Sequence, residues 1–467
     1  MKTSRTRAPI VIVLGHIDHG KTTLLDAIRK TNIVITEAGG ITQATGASVV
    51  TTKEGKKITF IDTPGHAAFS DMRSRGAKVA DIAILVVSAD DGVKPQTKEA
   101  LELIKETQIP VIVAISKIDL PSSDIEGAKG QLEKEGLLFE SRGGDTPVVS
   151  VSAKKGKGID ELLETISLVA EVHEIKGDPT GSLEAVVIES SRDKRGAFAN
   201  VIVRNGTLKV GEDIAVENVG SKIRALFNYK GESVREILPG EPAQVIGFNQ
   251  IPAVGARLIK EGLEPSSFAP TKEVGKKLGK IKEGQIAVIL KARSIGSLEA
   301  LLGSLAPGII VIDSGVGGVI GSDVLNAKSS NAWIFAFESD VSANVAKLAE
   351  TEGVHIEKFE VIYELLERLS ELLKKGQVEI LGKAEILKVF PFNNKRVAGC
   401  KVSEGRIAKN DNIIVSRGEK EIGMAKAVSM KRQKNTLIEA KAGEEFGVIF
   451  EPQLDFEIGD VLVSVRK

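Results

Sequence analysis

The chain has 467 residues, 42% of them hydrophobic and 27% charged, too long for one core and suited to about three or four domains. Lys+Arg and Asp+Glu both number 63, so the formal net charge is zero; this excludes coating of nucleic acid through bulk charge and leaves only local basic patches. One cysteine, Cys400, excludes an internal disulfide and a cysteine-built metal site, and suits a reducing compartment.

Lys2, Arg5 and Arg7 precede a short apolar run, Ile10 to Leu14. The run is too short for a signal peptide core and leads straight into a phosphate-loop motif, so it reads as a first buried strand. No stretch approaches the length of a membrane span, and the expected location is the cytoplasm. The motif is Gly15-His16-Ile17-Asp18-His19-Gly20-Lys21-Thr22, followed by Leu24, Leu25 and Ile28 at helical spacing. It fits G-x-x-x-x-G-K-(S/T) between a strand and a helix, where backbone N–H groups and the helix N-terminus hold phosphate. Lys21 is expected to reach the β and γ phosphates, and the Thr22 hydroxyl to ligate magnesium.

Glu37-Ala38-Gly39-Gly40-Ile41-Thr42-Gln43 is too glycine-rich and polar for a packed element. It reads either as a surface loop or as a loop whose Thr42 closes onto magnesium and the γ-phosphate. Ile58 to Ile61 is a strand ending in Asp62-Thr63-Pro64-Gly65-His66, where a carboxylate can hold a magnesium water and Gly65 can offer its N–H to the γ-phosphate. Asp81 to Ser88 is another buried strand, and Val111 to Ser116 leads into Ser116-Lys117-Ile118-Asp119. The Asp119 carboxylate can accept two hydrogen bonds from the guanine N1–H and amine, a pair that adenine lacks. Val148 to Val151 runs into Ser152-Ala153-Lys154, a loop suited to touching the base oxygen through backbone N–H. Helices at Thr97 to Glu106 and Ile159 to Val169 alternate with these strands, which predicts a doubly wound parallel sheet over 8–173 with its loops converging on one crevice.

The set G-H-I-D-H-G-K-T, E-A-G-G-I-T-Q, D-T-P-G-H, S-K-I-D and S-A-K resembles the translational GTPases, and its Glu37 to Gln43 wording is most similar to the bacterial initiation factor two family. The resemblance implies that Thr42 is the first switch, that Asp62 to His66 is the second, and that His66 orients the attacking water once the ribosome engages. It implies Ile17 and Ile41 as an apolar gate beside His66, Asp18 near the phosphates, and GTP and Mg2+ as cofactors. Implied partners are the small and large ribosomal subunits, formylmethionyl initiator tRNA and other initiation factors, with the protein a monomer. Ser116 departs from the family's asparagine, and loss of its contacts to the base and to the phosphate loop is expected to cost about 1 kcal/mol. Two rivals are weighed: an elongation-type carrier of another aminoacyl-tRNA, and a non-hydrolysing RNA-binding scaffold.

After the linker Gly177 to Gly181, short strands at Leu183 to Glu189, Ala199 to Arg204, Asp213 to Glu217 and Ala243 to Phe248 predict a β-barrel over 181–265. Arg192, Lys194 and Arg195 form a basic loop there, read first as solvated. Residues 262 to 284 are a second boundary. Strands at Ile286 to Leu290, Ile309 to Ile312, Trp333 to Phe337 and Val354 to Ile356 then alternate with helices in a small α/β/α sandwich over 273–376. Gly315 to Gly318 is out of step with a dinucleotide loop. The sandwich ends in a linking helix whose apolar face runs from Val361 to Leu373.

A second β-barrel is expected over 382–467, because Gly206 to Val216 aligns with Gly405 to Val415. Cys400 then aligns with Val201, an inward position. By resemblance this last barrel binds initiator tRNA through Ala398-Gly399-Cys400 and the basic loop Lys431, Arg432 and Lys434, with Phe446 standing where a second cysteine is common.

Overall fold

The computed structural model describes residues 5–30, 46–217, 219–260, 285–376, 379–392, 395–418, 420–432 and 435–466. The Glu37–Gln43 loop with Ile41 and Thr42, the boundary 262–284 and Lys434 lie outside the described residues. The chain divides into two compact units, one of residues 1–278, 287–307 and 311–367, the other of 279–286, 308–310 and 368–467.

The first unit begins with β1 (Ile10–Gly15), α1 (Lys21–Arg29), β2 (Gly46–Thr51), β3 (Lys57–Asp62), α2 (Ser70–Val79), β4 (Ile82–Ser88), α3 (Pro95–Thr107), β5 (Val111–Ser116), α4 (Ile125–Lys134), β6 (Val148–Ser150) and α5 (Ile159–Val172). They form a six-stranded sheet in the order β2-β3-β1-β4-β5-β6. Every pair is parallel except β2 with β3. An unbroken apolar strand such as β1 needs cover on both faces. Ile10, Ile12 and Leu14 pack with Ala100, Leu101 and Ile104 of α3, while Val11 and Val13 pack with Leu24 and Leu25 of α1 and Leu162 of α5. The antiparallel edge β2 escapes the sequence reading, because Gly-Ala-Ser-Val-Val-Thr is half-buried and shows neither an apolar run nor strict alternation.

The longer barrel strands are β7 (Glu184–Asp193), β8 (Gly196–Asn205), β9 (Asp213–Val216), β10 (Val219–Lys222), β11 (Ala225–Phe227), β12 (Pro242–Phe248) and β13 (Arg257–Lys260), in the sheet order β10-β9-β13-β7-β8-β12-β11, and the two-residue strand Ser233–Val234 pairs with β11 at the end. Val186, Ile188 and Ile202 join the core of the first sheet, so the barrel shares apolar surface with it. Arg7 adds a two-pronged ion pair to Asp81, at 2.6 and 2.7 Å, with both side chains buried. Arg195 pairs with Asp193 at 2.7 Å and lies over Phe198, which agrees with a loop satisfied by its own neighbours.

The third layer set is β14 (Ile286–Ala292), α6 (Ile295–Gly303), β15 (Ile309–Val316), α7 (Gly321–Ser330), β16 (Trp333–Phe337), α8 (Ala343–Glu352), β17 (Ile356–Phe359) and α9 (Ile362–Gly376). Its sheet runs β15-β14-β16-β17, with β14, β16 and β17 parallel. The last strand starts two residues later than the sequence suggests, because the backbone of Val354 caps α8 through the Ala349 carbonyl instead of joining the ladder. The Gly315–Gly318 turn uses its polar backbone inside the fold: Gly317 N–H donates to Ala292 O at 2.9 Å, and Ser339 Oγ donates to Gly317 O at 2.6 Å.

The second unit contains a barrel of β18 (Glu379–Phe392), β19 (Lys395–Ala408), β20 (Asn412–Arg417), β21 (Lys420–Arg432), β22 (Glu445–Glu451) and β23 (Val461–Arg466). Pairing runs β18-β23-β20-β21-β22-β19 and returns to β18, which closes the sheet and removes its edges. Among the described residues no helix is long and apolar enough to cross a membrane.

Candidate functional site

The loop after β1 is set by Gly15, whose φ of +139° and a would-be Cβ 2.3 Å from Val86 O admit no side chain. A single 3-10 turn, Ile17–His19, then delivers Lys21 and Thr22 to the start of α1. Lys21 is 4% exposed and donates to His16 O at 2.7 Å. Burial pushes its ammonium down to about 8, against an opposing pull from Asp62. His19 is buried and its imidazole is lowered to about 4 by desolvation, so the neutral ring donates from Nδ1 to Val86 O at 3.3 Å. Asp18 is exposed on the turn, and Ile17 is half-buried.

Asp62 pairs in register with Val13, which puts the end of β3 beside the loop. Thr63 Oγ1 donates to Val13 O at 3.2 Å, and Pro64 is buried. A Cβ on Gly65 would lie 2.4 Å from Lys21 Nζ and 3.1 Å from Ile17 Cα, so a side chain here would displace the lysine and press on the phosphate loop.

The two remaining loops come in from the other side. Ser116 Oγ donates to His19 O at 2.6 Å. This corrects the expectation that serine gives up the contact to the phosphate loop: its hydroxyl is placed to make that contact. Asp119 accepts from Ser152 Oγ at 2.7 Å, and this bond holds its carboxyl below the usual carboxylate range. Lys117 is close to Asp90, at 3.5 Å, with Ile118 half-buried beside it. Ser152 N–H donates to Lys157 O, which folds Ala153 and the exposed Lys154 into a tight turn.

His66 sits at the head of α2. Its Nδ1 accepts from Ala68 N–H at 2.8 Å, and its ring stands edge-to-face with Tyr363, centroids 4.3 Å apart. Burial, with Arg73 nearby, lowers its pKa and keeps it neutral at pH 7. Sequence reading missed the residues that hold these loops. Arg73 Nη1 donates to Pro64 O at 3.1 Å and His66 O at 2.5 Å; Gln96 Oε1 accepts from Ile17 N–H at 3.0 Å; Arg29 Nη1 lies 3.7 Å from Asp62 Oδ2. The one signal available was an arginine among the inner-face residues Met72, Gly76 and Ala77, where a buried cation demands partners.

The elongation factor Tu GTP binding domain matches residues 6–171, elongation factor G domain 2 matches 182–261, and translation-initiation factor 2 matches 263–370. The chain is 43% identical over 491 residues to translation initiation factor IF-2 of Kosmotoga olearia, covering 98% of this chain and 70% of that protein. The chain belongs to the IF-2 family. IF-2 of Carboxydothermus hydrogenoformans is 42% identical, covering 98% of this chain and 59% of that protein. A solved structure, GDP-bound aIF5B from Aeropyrum pernix, is 28% identical and covers 99% of this chain and 92% of its own, with a TM-score of 0.44. Membership of the IF-2 family makes this a translation initiation GTPase, with GTP as its nucleotide.

In the last barrel of this IF-2 family member, Cys400 and Phe446 face each other in register and are 1% and 3% exposed. Both point into the barrel core, and burial raises the Cys400 thiol far above its usual range. The expectation that they line a tRNA-contacting surface is therefore corrected: side chains inside a closed barrel shape it from within. The outer face carries a different row. Lys388, Gly399, Gly447 and Lys431 are successive cross-strand partners on β18, β19, β22 and β21, so two glycines lie between two exposed lysines. Phe390, 50% exposed, lies beside them, its Cε2 3.1 Å from the Cβ position of Gly399. Arg432 is exposed next to Lys431 and pairs with Glu444 at 3.0 Å.

Proposed function

We propose that this GTPase binds GTP with Mg2+, brings formylmethionyl initiator tRNA to the small ribosomal subunit alongside other initiation factors, and hydrolyses GTP when the large subunit joins. In this reading it acts in the cytoplasm as a monomer. The observation that carries it is the direct bonding of the base-reading loops to each other and to the phosphate loop, Asp119 to Ser152 and Ser116 to His19. It unites three separate segments of the chain around one crevice.

Amides of Gly15 to Lys21 cradle the phosphates, and Lys21 exchanges the His16 carbonyl for β and γ phosphate oxygens. The Asp119 carboxylate takes the guanine N1–H and amine, and the Ser152–Lys154 backbone meets the base oxygen. The donor set fits magnesium: Thr22 hydroxyl and Asp62 carboxylate are hard oxygens, with Thr42 as a third. Among the described residues no cluster of three or more His, Cys, Asp or Glu forms a cage, as suits an ion that keeps waters and phosphate oxygens. When bound, it neutralises charge building on the β and γ oxygens. His66, with Nδ1 accepting from the Ala68 amide and the ring neutral, carries its proton on Nε2, the atom that orients the attacking water once the ring has turned to the apolar pair Ile17 and Ile41. On the last barrel, the glycine pair flanked by Lys388 and Lys431, with Phe390 and Arg432, suits an apolar acyl end and its nucleotide phosphates.

Equilibrium competition tests the nucleotide reading. Labelled GTP in Mg2+ is expected to resist equimolar ATP and to release in EDTA; displacement by ATP as readily as by GTP overturns the role of Asp119.

A further inference from the structure

We propose that Tyr363 is a positioning residue that parks the His66 ring away from its working pose, so that seating of the third domain on α2 restrains hydrolysis. The inference rests on the reading of His66 as the residue that orients water. His66 belongs to the nucleotide domain, yet its nearest aromatic partner belongs to another. Tyr363 is the second residue of α9, on a turn fixed by the fully buried Ile362 and Leu365, while the tyrosine itself is 42% exposed. The two rings meet at 4.3 Å and 78°, and Phe69 flanks the imidazole at 6.1 Å and 79°. Such edge-to-face geometry is attractive beyond the area it buries.

The remaining freedom of His66 lies in this ring alone. Arg73 fixes the backbone on either side through Pro64 O and His66 O, and is itself buried and paired with Glu99 at 2.5 Å. The third domain is keyed to α2 close by. Arg75 reaches Glu299 of α6 at 2.5 Å, and the Met72 Cε methyl lies 2.2 Å from where Gly296 would carry a Cβ, so α6 and α2 touch through a glycine. With this seat closed, α9 delivers Tyr363 to the imidazole. With it open, the Ala68 N–H bond to Nδ1 and the flank of Phe69 remain, but the contact from α9 is gone, and the ring exchanges that single bond for the pose that orients water more readily. The nucleotide site thus senses the third domain through one ring contact, in a segment whose backbone carbonyls Arg73 holds.

The test compares Tyr363→Ala and Tyr363→Phe in the full chain. Phosphate release without ribosomes is expected to rise about 2- to 10-fold in Tyr363→Ala, the shift in a two-state equilibrium from losing one edge-to-face contact, and to stay at the unmodified level in Tyr363→Phe. The His66 ring proton resonances, assigned by their loss in His66→Ala, are expected to lose a ring-current shift in Tyr363→Ala and to keep it in Tyr363→Phe. Tyr363→Leu supplies the same comparison if the alanine variant folds poorly. Unmoved resonances, or moved resonances with a release rate that is unchanged or lower, overturn the proposal. Ribosome-stimulated release in His66→Ala separates the two failures: a drop of about 100- to 10,000-fold upholds the role of His66, and full activity removes the reading on which the proposal rests.

Discussion

Ser116 shows how one hydroxyl stands in for an amide. Its Oγ–H reaches the His19 carbonyl at 2.6 Å inside the site, so replacing it by alanine leaves a buried acceptor without that donor. Ser116→Ala is expected to weaken GDP and GTP binding about 5-fold, near 1 kcal/mol. Ser116→Asn, which adds reach toward the base, is expected to tighten it; titration calorimetry reads both, and an alanine variant of unchanged affinity refutes the bridge. The identity of the motif residues was legible in sequence because their chemistry is tied to residue type and spacing. Their mutual contacts were not. That serine bridges to His19, that Gln96 holds the Ile17 amide and that Arg73 pins the second loop all depend on side chains from distant elements.

Elements were legible where burial is two-sided. Ile10–Gly15, Ile82–Ser88 and Trp333–Phe337 are apolar runs in the sequence and strands in the fold, whereas β2 pairs on one side only, lies half-exposed and left no pattern. The seam between β7 and α6 was equally hidden. Glu189 is buried there, its Oε1 accepting from Gly296 N–H at 3.2 Å and Ser190 N–H at 3.0 Å, while Oε2 has no hydrogen-bond partner. Desolvation raises its pKa above the ordinary carboxylate value. The folded protein therefore binds this proton more tightly than the unfolded chain does. The stabilisation is full below the unfolded value and fades as pH rises through the raised one. Glu189→Gln keeps an acceptor for both amides and removes the charge. Its thermal midpoint is expected to decline less than that of the unmodified protein as pH is raised from the ordinary carboxylate range toward neutrality. Parallel pH profiles in scanning calorimetry would show that the carboxylate is not the source.

On the scale of the molecule, the sequence repeat between residues 206–216 and 405–415 foretold two antiparallel barrels, with Val201 and Cys400 both inward. Which side chains of the last barrel face outward was less legible. Resemblance singles out Cys400 and Phe446, but the alternation of a strand directs them into the core and turns Gly399, Gly447, Lys388 and Lys431 to the surface. The same chain thus carries a nucleotide crevice in one compact unit and a basic, glycine-bearing face in the other. The claim that this face holds initiator tRNA is tested most directly by Lys431→Glu combined with Arg432→Glu, measured at fixed salt for formylmethionyl-tRNA affinity and for ribosome-stimulated phosphate release. The account predicts a loss of tRNA affinity of about 10-fold or more with hydrolysis intact; unchanged tRNA affinity would contradict it.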